Sequence, residues 1–216
     1  MPLVLYYGSG SPYAWRVQLA LEHKAVPYER KVLSFSAGDT RKPEFVALNP
    51  RHRVPTIVHD DFVLYESNAI VEYLDEAFPA TGAPLFPGDV LTRALVRRLV
   101  AEVDNYFDHA IDPLTTQAFG KKPEERDAKA IAEARQGVVD EVAMFTKSMR
   151  GEFLAGPLSA ADFALYPLVA FIKRSEMKLP DLRADAMLTP EITAWKSRIE
   201  RLPYFHKTIP PHWKAS

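Results

Sequence analysis

The chain has 216 residues, 47% of them hydrophobic and 25% charged, with a formal net charge of -1. Its length allows one large domain or two small ones around a proper core, and the near-neutral charge with dispersed Lys and Arg speaks against a nucleic-acid partner. The absence of cysteine excludes disulfides, thiolate metal sites and any mechanism with the protein's own thiol as nucleophile, so thiol chemistry would belong to a ligand.

Leu3 to Tyr7 reads as a buried strand, Pro12 to His23 as a helix with Ala14, Val17, Ala20 and Leu21 on one face, and Tyr28 to Leu33 as a second strand. A short helical stretch around Pro43 to Leu48 precedes strands Thr56 to Val58 and Phe62 to Tyr65, joined through Asp60-Asp61, and the helix Ser67 to Phe78. The order is βαβ, helix, ββα. Pro79 to Pro84 is rich in turn formers and reads as a linker, after which the pattern is helical throughout. Leu91, Leu95, Leu99 and Val103 recur at helical spacing, as do Ile131, Val138, Val142, Phe145 and Met149, and then Ile192, Trp195, Ile199 and Leu202. Ser159-Ala160-Ala161-Asp162 is a capping box and Thr189-Pro190 a second helix start. The division is therefore an α/β domain over 1–79, a linker over 80–88 and an all-α domain over 89–216. Leu3 to Tyr7 has no charged region before it and no cleavage signature after it. The longest apolar run, Ala164 to Ile172, is far too short to span a membrane, so a cytoplasmic protein is expected.

Two segments look like halves of one small-molecule site. Pro55 opens an apolar run at a position where a strand tolerates proline, and a cis Val54-Pro55 bond there would turn the Val54 N–H and C=O outward to hold a short peptide as an added strand. Glu66 and Ser67 follow the next strand and open a helix, where free N–H groups and the positive dipole end suit a carboxylate. The Glu66 carboxylate beside it would accept from an ammonium, so the pair suits the zwitterionic end of an amino acid. Glu66-Ser67 also has a plainer reading as a helix start. Ser11 before Pro12 is what an N-cap and first helical residue look like. Their occurrence in this order within one βαβ-ββα unit is what joins them.

Taken with the segment Ser11-Pro12-Tyr13-Ala14-Trp15-Arg16-Val17, these features resemble the cytosolic glutathione transferases over the whole chain. The resemblance implies a thioredoxin-like N-terminal domain that binds glutathione and an all-helical domain that supplies most of the second-substrate pocket. Phe153-Leu154-Ala155-Gly156 before Ser159 resembles the helical domain's capping motif. Ser11 with Trp15-Arg16-Val17 is similar to the serine-type zeta and tau classes, and the lack of cysteine turns away from the omega and beta classes. The zeta isomerases carry two serines and a cysteine where this chain has Ser11-Pro12-Tyr13, which points away from maleylacetoacetate isomerisation and towards the tau pattern. Relatives often have Gln or Lys before the Val-Pro turn where Arg53 stands here. Arg53 could reach a ligand carboxylate with different geometry, as could Arg41 and Lys42.

The chemistry required follows from the thiol. Free thiols titrate near pH 8.5 and only the thiolate is nucleophilic. A serine hydroxyl is too weak a base to take the proton, so Ser11 would donate a hydrogen bond to the sulfur anion. With the dipole of the helix that begins at Pro12, it would stabilise the thiolate by about 1.4 to 2.7 kcal/mol. Ser9, in the Gly8-Ser9-Gly10 loop, is the alternative donor. Tyr13, Tyr106, His109 and Phe171 are candidates by position for the electrophile pocket, and Trp213 could cover it or pack beside it. The resemblance thus implies a metal-free glutathione S-transferase that attacks a small hydrophobic electrophile, a homodimer like its relatives, with a role in detoxification. A glutathione-dependent disulfide or peroxide reductase, an isomerase and a non-catalytic scaffold remain as alternatives.

Overall fold

The computed structural model describes residues 2–213, which form two compact units. One comprises the chain up to Phe86 together with the residues from Leu202 onward, and the other is Pro87–Arg201.

The first unit holds β1 (Leu3–Tyr7), α1 (Pro12–His23), β2 (Tyr28–Val32), α2 (Pro43–Val46), β3 (Thr56–His59), β4 (Phe62–Tyr65) and α3 (Ser67–Ala77). The strands lie in the order β2-β1-β3-β4, with β1 parallel to β2 and antiparallel to β3, and β3 antiparallel to β4. Leu5 pairs with Ile57 across β1 and β3, and both are fully buried, which fixes the register because a one-residue slip would turn them to the other face. β2 is an edge strand whose Glu29, Arg30 and Lys31 are exposed, charges that discourage pairing with another chain.

α1 is buried on more than the expected face: every residue from Ala14 to Leu21 is inside. It packs against α3 on one side and against the short helix α9 (Phe205–Thr208) on another. The Trp15 indole N–H donates to Thr208 Oγ1 at 2.9 Å, and its ring lies 6.2 Å from that of Phe205. This contact is why the residues from Leu202 group with the α/β unit although they fall within the 89–216 helical span read from the sequence. Positions 1 and 214–216 of the two sequence spans lie outside the described residues.

The linker is fastened at its far end. The Asp75 carboxylate accepts from the N–H groups of Leu85 and Phe86 at 2.7 and 3.2 Å and pairs with the buried Lys24 ammonium at 3.3 Å. Gly82 has φ +54° and sits against the backbone of His23 and Lys24, where a Cβ would collide.

The second unit contains α4 (Val90–Glu102), which continues through a π-helical turn at Val103–Phe107 into α5 (Asp108–Thr115), then α6 (Ala128–Ser148), α7 (Ala160–Glu176) and α8 (Pro190–Glu200). The stripes on α6 and α8 bury Val138, Val142 and Phe145, and Ile192, Trp195 and Ile199. On α4 the buried residues are Val96, Leu99 and Val100. Leu91, in the first turn, is 75% exposed and lies outside the packed stripe. Among the described residues no helix is long and apolar enough to cross a membrane.

Candidate functional site

Ser11 is the N-cap of α1. Its Oγ accepts from the Ala14 N–H at 3.3 Å, its C=O accepts from Trp15 N–H at 3.0 Å, and Pro12 fills the first helical position. The plain capping role is therefore real. It uses only the oxygen, since a hydroxyl both donates and accepts, and among the described residues nothing accepts the Ser11 proton. Half-buried at the positive end of α1, Ser11 presents a spare donor. Ser9, two residues earlier, is 2.7 Å from Nδ1 of His212, whose Nε2 accepts from the Trp213 indole N–H at 3.0 Å. Between the two serines Gly10 has φ +85°, and a side chain there would run into His212. Trp213 packs edge-on to Trp15 at 5.1 Å. The C-terminal segment thus flanks the loop that carries Ser11.

The Val54-Pro55 bond is cis, with Pro55 one residue before β3. Neither the N–H nor the C=O of Val54 is used in a hydrogen bond among the described residues, so both remain for an extended ligand. The turn is organised by Asn49, which is 1% exposed. Its Nδ2 donates to the Arg53 C=O at 2.8 Å and to Thr56 Oγ1 at 3.0 Å, while its Oδ1 accepts from Arg51 N–H at 2.9 Å. Arg53 is exposed, and its side chain makes no hydrogen bond or ion pair among the described residues. Lys42 pairs with Asp39 at 2.7 Å, a partner that raises its affinity for its proton.

Glu66 is the N-cap of α3 and has φ +71° and ψ 112°, an uncommon conformation for a residue with a side chain. Its carboxylate does not cap the helix, and the Ser67 and Ala69 N–H groups of the first turn lack intrahelical acceptors. Asp89, Asp127 and Thr189 do cap α4, α6 and α8 with their side chains. Ser67 is 8% exposed, and its Oγ accepts from Arg16 Nη1 at 3.2 Å. Arg16 also donates to Asn68 Oδ1.

Among the electrophile-pocket candidates, Tyr13 belongs to the first unit, half-buried with the Arg16 guanidinium 5.6 Å from its ring centre. Tyr106, His109 and Phe171 belong to the second. Tyr106 is 60% exposed in the π-helical turn, His109 is exposed on α5, and Phe171 packs on Phe119 at 5.2 Å.

The sequence missed Asn49, Arg16 and Asn68 as parts of this region. Asn49-Pro50 carried a turn signal that could have singled out Asn49. Arg16 stands in the Trp15-Arg16-Val17 run that carries the family resemblance, but periodicity gives no sign that it is buried, because an arginine in an amphipathic helix ordinarily faces water.

The glutathione S-transferase N-terminal domain model matches residues 10–77 and the C-terminal domain model residues 106–203. Glutathione S-transferase A of Pleuronectes platessa is 30% identical over 99% of this chain and 94% of its own length. Glutathione S-transferase D7 of Drosophila melanogaster is 29% identical over 93% and 90%. Among solved structures, a glutathione S-transferase from the Antarctic clam Laternula elliptica superposes with a TM-score of 0.84 at 32% identity, over 100% of this chain and 95% of that one.

Proposed function

The chain belongs to the glutathione S-transferase family, and we propose on that footing that it binds glutathione with its first domain and activates the thiol for attack on a small hydrophobic electrophile. The observation that carries the reading is the spare proton of Ser11, held at the start of α1 by a cap bond that consumes only the oxygen.

In this mechanism the Val54 N–H and C=O pair with the cysteinyl backbone of glutathione as an added strand on β3. The open start of α3 and the Ser67 hydroxyl receive the γ-glutamyl carboxylate, and Glu66 accepts from the adjacent ammonium. Arg53 serves the glycyl carboxylate. The thiol gives its proton to water, and Ser11 donates to the sulfur anion, so that a lone pair on sulfur forms the new C–S bond. A leaving group departs with the electrons of the bond it breaks, or an adjacent carbon takes them up where the electrophile is an activated alkene. Tyr13, Tyr106, His109 and Phe171 are the side chains proposed to meet the electrophile. No metal enters the scheme.

The domain division of 1–79, 80–88 and 89–216, assembly as a homodimer, a cytoplasmic setting and a role in detoxification complete the reading. They are supported by the family membership and by the absence of a membrane-crossing helix among the described residues.

The test is the ultraviolet absorbance of the glutathione thiolate bound to the protein across pH, for the wild type and Ser11→Ala. We expect a bound thiol pKa well below the free value of about 8.5, returning towards it in the variant. A wild-type protein that binds glutathione without any thiolate signal at pH 7 would overturn the catalytic role.

A further inference from the structure

We propose that His212 and Trp213 are positioning residues that hold the Ser9 hydroxyl as a second hydrogen-bond donor to the glutathione sulfur, beside Ser11; the inference rests on the glutathione-binding reading above. An indole N–H only donates, so the 3.0 Å bond from Trp213 Nε1 requires His212 Nε2 to be a bare acceptor. A neutral imidazole with a bare Nε2 carries its proton on Nδ1. That N–H faces Ser9 Oγ at 2.7 Å, so Ser9 is the acceptor in this contact. The Ser9 proton is thereby turned away from His212, and among the described residues no other group takes it.

The surrounding structure fixes both ends of this arrangement. Trp213 sits in a turn closed by its own backbone N–H on the Pro210 C=O at 2.9 Å, and its ring packs edge-on to Trp15 at 5.1 Å. Trp15 is itself anchored, donating to Thr208 Oγ1 at 2.9 Å. The indole therefore has a set place from which to donate. Ser9 and Ser11 belong to one tight turn, closed by the Ser11 N–H on the Gly8 C=O at 3.1 Å, with Gly10 at φ +85° in its third position. The lack of a side chain at Gly10 lets the imidazole approach, since a Cβ there would lie 2.8 Å from His212 Cε1. The turn thus brings two hydroxyls to the start of α1, each engaged through its oxygen: Ser11 by the Ala14 N–H and Ser9 by the imidazole. Two donors stabilise a sulfur anion more than one does, and each does so without giving up its proton.

This role differs from a simple tie between the C-terminal segment and the loop. A tie holds whichever atom donates. A positioning pair requires the proton on Nδ1, and its influence on the sulfur passes through Ser9.

The experiment has two readouts. The first is the nitrogen NMR spectrum of the His212 imidazole in isotope-labelled protein without glutathione, at a pH above the imidazole range, with the signals assigned by their loss in His212→Phe. The wild type should show a protonated Nδ1 and a bare Nε2. Trp213→Phe, which keeps a ring against Trp15 but has no indole N–H, should shift towards the opposite form. The second is the pKa of the bound glutathione thiol, read from the thiolate absorbance. Ser9→Ala should raise it by about 0.5 to 1, and Ser9→Ala combined with Ser11→Ala should raise it further than either alone. Trp213→Phe should raise it by part of the Ser9→Ala amount and add nothing in a Ser9→Ala background, because its effect is carried by that hydroxyl. A wild-type His212 with its proton on Nε2, a bound thiol unchanged by Ser9→Ala, or a Trp213→Phe effect undiminished by Ser9→Ala overturns the proposal. Should Trp213→Phe fail to fold, the wild-type spectrum and Ser9→Ala decide: a protonated Nδ1 together with a raised thiol pKa supports the proposal, and the lack of either overturns it. A wild type without saturable glutathione binding overturns the parent reading and this inference with it, whereas an activated wild-type thiolate that Ser9→Ala leaves unchanged overturns this inference alone.

Discussion

Ser11-Pro12 in the first unit and Thr189-Pro190 in the second are the same helix start used twice. In each, the hydroxyl oxygen accepts an N–H three residues on at 3.3 Å and proline occupies the first helical position. The difference is the fate of the hydroxyl proton. Thr146 donates its own proton to the Val142 C=O at 2.8 Å, so across the 2.8 Å contact between the two threonines Thr189 must be the donor. Thr189 is spent on the fold, whereas Ser11 keeps its proton. Cap geometry alone therefore does not mark a functional serine; a donor left over after capping does.

The start of α7 is the extreme case of a spent cap and gives the largest expected effect. The Asp162 carboxylate, fully buried, accepts from Leu154 N–H at 3.0 Å, Ser159 N–H at 2.9 Å, the Ser159 hydroxyl at 3.0 Å and the Trp195 indole N–H at 2.8 Å. Asp162→Ala strips these donors of their acceptor at about 1–3 kcal/mol each, so a loss of at least about 4 kcal/mol is expected in denaturant unfolding. A loss below about 1 kcal/mol would show that the region relaxes or takes in water and that the cap was not closed.

The same carboxyl should make stability depend on pH. Burial is the largest influence on Asp162 and, against the pull of its donors, pushes its pKa from 3.8 up to about 6. The folded state therefore binds this proton more tightly than the unfolded state. The stability gained from it is fully present below 3.8 and is lost as pH rises through 6. Linkage sets the steepest slope near 1.4 kcal/mol per pH unit. In stability curves measured from pH 4 to 8, the wild type should lose stability relative to Asp162→Asn as pH rises through about 6, and the two curves should run parallel at the upper end of that range. Parallel curves throughout would place the titration elsewhere.

Thr146→Val reaches the comparison from the other side. It removes the acceptor that consumes the Thr189 proton, giving the second unit a leftover donor like that of Ser11, but one half-buried against an apolar neighbour. The expected cost is about 1–2 kcal/mol in thermal unfolding, for an orphaned hydroxyl. Thr146→Ser, which keeps the acceptor, should recover most of it.

What the sequence disclosed of this contrast follows from where the signals reside. Proline, the capping residues and the strand alternation act locally, so β1, α1, β4, the Val54-Pro55 turn, the Glu66-Ser67 start and the Ser159–Asp162 box were all readable, most boundaries within a residue or two. The spent or spare state of a hydroxyl is not local. Thr146 and Thr189 are 43 residues apart, and Arg16 and Ser67 are 51 apart. Arg16 was hidden because periodicity gives α1 one apolar face, while packing against α3 and α9 encloses it on several sides. The return of the chain from Leu202 to the first unit was hidden for the same reason: the bond from Trp15 to Thr208 joins residues 193 apart. Leu91 shows the converse, a residue in phase with a stripe whose partners end before it reaches them.

The smallest effect on stability is the sharpest test. Ser11→Ala and Thr189→Ala each remove one cap bond of equal length, so each should cost about 1 kcal/mol of unfolding free energy. Thr189→Ala also strands Thr146, but Thr146 keeps its donation to Val142 and needs no replacement for a bond it merely accepted. The two variants should thus be near equals by calorimetry and opposites in chemistry. Ser11→Ala should raise the pKa of bound glutathione and slow conjugation to a chlorodinitrobenzene at pH 7, with the rate recovering as pH approaches the free thiol value of about 8.5. Thr189→Ala should change neither. Recovery at high pH separates loss of a thiolate donor from loss of binding, because a protein that has ceased to bind glutathione gains nothing from ionising it. If Ser11→Ala instead keeps a wild-type pH profile, the leftover proton is not the feature that distinguishes these two helix starts, and Ser9 beside His212 becomes the donor to examine.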